Sequence, residues 1–115
     1  MLAASRHVDQ TFQPRILIVE DDVRLCALIR RYLETMGYFV ELAHTAEAAL
    51  RRTRSASFHA LILDVMLPGV DGFDVLRTLR ARGLRTPVMM LTARDAARAL
   101  VASDPHLLAP ANVAL

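Results

Sequence analysis

From residue 15 onward, short apolar runs alternate with longer stretches in which apolar residues recur every three or four positions. Arg15 to Val19, Ala60 to Leu63 and Val88 to Leu91 are apolar without alternation, the pattern of strands covered on both faces. Tyr38 to Leu42 reads as a further strand between the first two. Val23 to Met36 predicts a helix with Leu25, Leu28, Ile29, Tyr32 and Met36 inward and Arg24, Arg30, Arg31 and Glu34 on the other face. Ala46 to Arg54 predicts a second helix, with Ala46, Ala49 and Leu50 inward. Gly72 to Arg82 predicts a third, with Phe73, Leu76 and Leu79 inward. Asp22, Thr45 and Asp71 stand where N-caps belong, and Gly37 stands at C′ of the first helix. Val65 to Val70 reads as a Pro/Gly loop. Strands alternating with helices imply an α/β domain built on a parallel sheet.

The pattern fades past Asp95, where Ser103-Asp104-Pro105 and Pro110 interrupt any helix. The expected organisation is a disordered leader at 1–14, a domain at 15–95 and an Ala/Pro-rich tail at 96–115. With 115 residues and 54% hydrophobic residues, the chain has room for one buried core and no second domain. A net charge of +2 argues against nucleic-acid binding, and the Arg51, Arg52 and Arg54 cluster reads as a solvated helix face. All 14 basic residues are Arg, which excludes mechanisms that need an amine. One cysteine, Cys26, cannot make an internal disulfide, and it reads as a small packing residue in a cytoplasmic protein. His7, His44, His59 and His106 read as surface or loop residues. No apolar run is long enough for a membrane helix or a signal sequence.

Function in a parallel α/β sheet collects beyond the C-terminal ends of the strands. There the chain has Glu20-Asp21 after the first strand, Asp64 after the third and Thr92 after the fourth. Asp22, beside this group, reads first as a helix cap. Carboxylates gathered closely repel one another unless a cation sits among them, and a hard divalent ion such as Mg²⁺ prefers such oxygen ligands. With the ion bound, one carboxylate oxygen can attack phosphorus.

ILIVEDD at 16–22, LILDVMLPGVDGFDVL at 61–76 and VMMLTARD at 88–95 resemble, together and in order, the receiver domain of bacterial response regulators. The likeness is nearest to receivers that carry a winged-helix DNA-binding output domain. It implies a flavodoxin-like doubly wound parallel sheet of order 2-1-3-4, the family's fifth strand and its Lys being absent from the pattern here. It implies Asp64 as phosphoacceptor, Thr92 as switch hydroxyl, and a Mg²⁺ site of Glu20, Asp21, Asp64 and the Met66 carbonyl. A histidine kinase would be the partner, meeting the Arg-rich first helix, and a second receiver could pair as a dimer. The resemblance thus implies a switch and not an enzyme in the usual sense.

The family's Lys would fall about 22 residues past Thr92, at Ala114. Its loss predicts impaired phosphorylation and output, and the missing strand predicts an exposed sheet edge with reduced stability. A truncated receiver acting only as a binding module or decoy is the alternative. A remote one is a Mg²⁺-dependent aspartyl phosphatase of haloacid-dehalogenase type, which wants a second Asp two residues on, where this chain has Met66.

Overall fold

The computed structural model describes residues 12–91. Thr92, Asp95, the tail at 96–115 and all but the last three residues of the leader at 1–14 lie outside that range. The described chain runs β1 (Arg15–Val19), α1 (Val23–Thr35), β2 (Phe39–Ala43), α2 (Ala46–Ser55), β3 (Ala60–Asp64), β4 (Met66–Leu67), β5 (Val70–Asp71), α3 (Gly72–Ala81) and β6 (Val88–Leu91). Four strands form one parallel sheet in the order β2-β1-β3-β6, the arrangement expected of a doubly wound fold.

Alternate residues of β1 serve opposite faces of the sheet, as the pleat requires. Leu17 and Val19 join Ala49 of α2, Val75 and Leu79 of α3, and Leu61, Leu63 and Met90 in one apolar layer. Ile16 and Ile18 join Leu25, Cys26 and Ile29 of α1, with Val40, Ile62 and Leu91, in the other. Burial on both sides is why these strands carry no polar alternation.

Each helix starts at its expected cap. Asp22, Thr45 and Asp71 accept hydrogen bonds from the backbone N–H groups of Leu25, Ala48 and Phe73. These bonds satisfy donors that the first helical turn leaves without partners. Just past the end of α1 the Gly37 N–H bonds the Glu34 carbonyl, and the Gly37 φ of +94° turns the chain so that the Tyr38 N–H reaches the Leu33 carbonyl. Replacing Thr45 with alanine is expected to cost about 1 kcal/mol, read as a lower urea midpoint with unchanged slope.

A few features differ from expectation. Met36 is 56% exposed, because α1 ends at Thr35 and Met36 already belongs to the turn. In α3 Phe73, Leu76 and Leu79 pack on the core as expected, Leu79 fully buried and the other two half-buried, and Gly72 and Val75 are buried with them. The segment expected as a loop contains the antiparallel pair β4–β5, with Met66 opposite Asp71 and Leu67 opposite Val70. Arg52 is not merely solvated: it pairs with Glu41, which also pairs with Arg15, and Arg15 lies over the rings of Phe39 and Phe58. No helix among the described residues is long and apolar enough to cross a membrane.

Candidate functional site

The C-terminal ends of β1 and β3 lie side by side, since Val19 is in register with Leu63. The residues that follow in sequence therefore meet at the same edge. Glu20 is fully buried, Asp21 is half-buried and Asp64 is fully buried. One oxygen from each carboxylate lies within 4.8 Å of the others, so three acidic groups from two strand ends share one small volume.

Local hydrogen bonds fix their directions. The Asp22 N–H donates to Glu20 Oε2 at 2.8 Å, while the Asp22 carboxylate caps α1. The Met66 N–H donates to Asp64 Oδ1 at 3.0 Å, and the Met66 side chain is 63% exposed. Behind Asp64 the chain is tightly held: the Val65 N–H bonds the Leu91 carbonyl, and the Gly72 N–H bonds the Val65 carbonyl at 2.6 Å. Thr92 directly follows Leu91, the partner of Asp64 in the sheet, and lies outside the described residues.

Burial pushes Glu20 up from its ordinary 4.5 to about 8. The nearby Asp21 and Asp64 carboxyls add to the rise, and the Asp22 N–H opposes it. Such a group of carboxylates is costly in a protein interior and is relieved by a cation among them. The donors are all hard oxygens at a spacing a small divalent ion can bridge, so this chain fits Mg²⁺ at this site.

Two residues not singled out for the site also touch it. The Cys26 thiol donates to the Glu20 carbonyl at 3.2 Å, and His44 Nδ1 lies 2.9 Å from the same oxygen. Burial, with the Glu20 charge beside it, pushes the Cys26 thiol up to about 12, so it stays protonated near neutral pH. The available signal was register: β1 and β2 pair Val19 with Ala43, which sets residue 44 beside residue 20.

Fold and site together define a flavodoxin-like α/β domain with an acidic pocket at the carboxyl edge of its sheet. The chain belongs to the response regulator receiver domain family, whose model matches residues 16–103. It is 39% identical over 104 residues to the transcriptional regulatory protein TcrA of Mycobacterium tuberculosis, covering 86% of this chain and 41% of TcrA. It is 47% identical over 88 residues to the response regulator MprA of Mycobacterium ulcerans, covering 76% of this chain and 38% of MprA. The chain thus spans about two fifths of the length of these relatives. Among solved structures, it is similar to the response regulator TrrA of Thermotoga maritima in complex with Mg²⁺ and BeF, with a TM-score of 0.67 and 30% identity over 79% of each chain. The chemotaxis response regulator CheY4 of Vibrio cholerae matches with a TM-score of 0.67 and 26% identity, over 81% of this chain and 82% of that one. Receiver domains are the regulated signalling modules of two-component systems.

Proposed function

We propose that this domain accepts a phosphoryl group on Asp64 from a histidine kinase, in a cytoplasmic phosphorelay. The observation that carries this reading is the convergence of Glu20, Asp21 and Asp64 within 4.8 Å at the sheet's carboxyl edge. In the transfer, a carboxylate oxygen of Asp64 forms the new bond to phosphorus as the bond from phosphorus to the kinase imidazole nitrogen breaks. The electron pair leaves with the imidazole, which takes up a proton. Mg²⁺, held by Glu20, Asp21, Asp64 and the Met66 carbonyl, would supply positive charge to the phosphoryl oxygens. The Met66 N–H orients Asp64 through Oδ1. Glu20 orients the turn into α1 through the Asp22 N–H. Thr92, next along the chain from Leu91, would give a hydroxyl to the phosphoryl group.

These 115 residues contain no Lys, so none of them offers an ammonium side chain to the phosphoryl oxygens. The TrrA complex with Mg²⁺ and BeF supports the metal reading by likeness.

Incubation with acetyl phosphate and Mg²⁺, followed by intact mass measurement, tests the reading. The expected result is a gain of one phosphoryl group that Asp64→Ala abolishes. No gain, or a gain that survives Asp64→Ala, overturns it and leaves a module that binds without accepting phosphate.

A further inference from the structure

Resting on the Mg²⁺ reading above, we infer that His44 is a positioning residue for the acidic pocket, holding the Glu20 carbonyl and through it the backbone that carries Glu20 and Asp21. The parallel ladder between β1 and β2 runs to Val19 and Ala43, and one further rung follows, from the Glu20 N–H to the Ala43 carbonyl at 3.0 Å. Then the two chains separate. Residue 45 turns away to cap α2, with its hydroxyl on the Ala48 N–H. At the point where β2 ends, the His44 ring lies 2.9 Å from the Glu20 carbonyl through Nδ1.

A carbonyl oxygen can only accept, so Nδ1 carries the hydrogen and the neutral ring is the Nδ1–H tautomer. The Cys26 thiol approaches the same oxygen from α1, with its sulfur 3.7 Å from Nδ1. Donors from two different elements thus converge on one carbonyl oxygen. They pin the peptide linking Glu20 to Asp21 at the place where the strand stops and regular backbone bonding runs out. Two carboxylates meant to share an ion must keep a fixed separation, and groups that orient ligands from behind commonly matter to metal affinity almost as much as the ligands.

The test uses the full 115-residue chain. In the metal-free protein, nitrogen-15 spectra of the His44 ring are expected to show a hydrogen on Nδ1, and a neutral ring with its hydrogen on Nε2 and Nδ1 bare overturns the inference. Mg²⁺ affinity is then followed by amide NMR titration. His44→Leu is expected to weaken it about 10-fold, while His44→Asn, whose side-chain amide can place a donor near Nδ1, stays within about 2-fold of the parent. Melting temperatures of both metal-free variants report any general loss of folding. A His44→Leu chain that binds Mg²⁺ as tightly as the parent, or an Asn variant as weak as the Leu one, overturns the positioning role. A parent chain that binds no Mg²⁺ overturns the metal reading instead, and the tautomer measurement then decides the His44–Glu20 contact by itself.

Discussion

Replacing Gly72 with alanine is expected to destabilise the domain by at least about 3 kcal/mol, at the upper end for forcing an extra methyl group into a packed interior. Gly72 is buried at the start of α3, and a Cβ there would lie 2.1 Å from the Asp64 carbonyl oxygen and 2.9 Å from the Val65 Cα. Those neighbours are backbone atoms, so no side-chain rotation can relieve the clash. Either α3 moves away from β3 or Asp64 is displaced. Because the Gly72 N–H also bonds the Val65 carbonyl, any displacement is felt at the proposed phosphoacceptor as well as in stability. Thermal and urea unfolding of Gly72→Ala check this, and a midpoint equal to the parent's would show that the contact is not tight in solution.

The second large effect is a dependence of stability on pH that Mg²⁺ reverses. In the unfolded chain Glu20 ionises at its ordinary 4.5, and in the folded domain burial delays this to about 8. Below 4.5 both states hold the proton, so Glu20 costs the fold nothing. Between those limits the folded state keeps a proton that the unfolded state has released, and each rise in pH favours unfolding until the group is ionised in both. Metal-free protein is therefore expected to lose melting temperature as pH rises from about 5 to about 8. Saturating Mg²⁺ should restore it most at the upper end, since metal binding favours the ionised carboxylates and displaces protons. Glu20→Gln should flatten the metal-free slope. A melting temperature that holds constant or climbs across this window without Mg²⁺ contradicts the burial argument.

Much of the fold could be read from the chain because its signals are local. Asp22, Thr45 and Asp71 cap the expected helices, Gly37 ends α1, and the unbroken apolar runs at β1, β3 and β6 mark strands with helices on both sides. Glu20, Asp21 and Asp64 could be grouped because parallel strands bring their carboxyl ends to one edge. What escaped depends on short or distant contacts. Strands β4 and β5 have two residues each, too few to show a period. Val75 is buried on α3 beside the half-buried Leu76, and the close approach of Gly72 to Asp64 cannot be read from local periodicity. His44 is the loop residue its sequence suggests, but nothing near it in sequence marks Glu20 as its partner. Only the pairing of Val19 with Ala43 brings them together.

The sheet order also bears on how the chain folds as it is made. Strand β1 is central, with β2 on one side and β3 on the other, and it is the first of the three to be synthesised. It has no hairpin partner nearby: Arg15 must wait for Phe39, and Ile16 must wait for Ala60. On the ribosome, the nascent chain carries Ile16, Leu17, Ile18 and Val19 unpaired until α1 and then β2 have emerged, and half-paired until β3 follows. Parallel pairings across such separations form late, after the cost of closing long loops. Among the described strands of this sheet, the stretch that delivers Glu20 and Asp21 to the pocket thus waits longest for its partners and stays exposed to aggregation during synthesis.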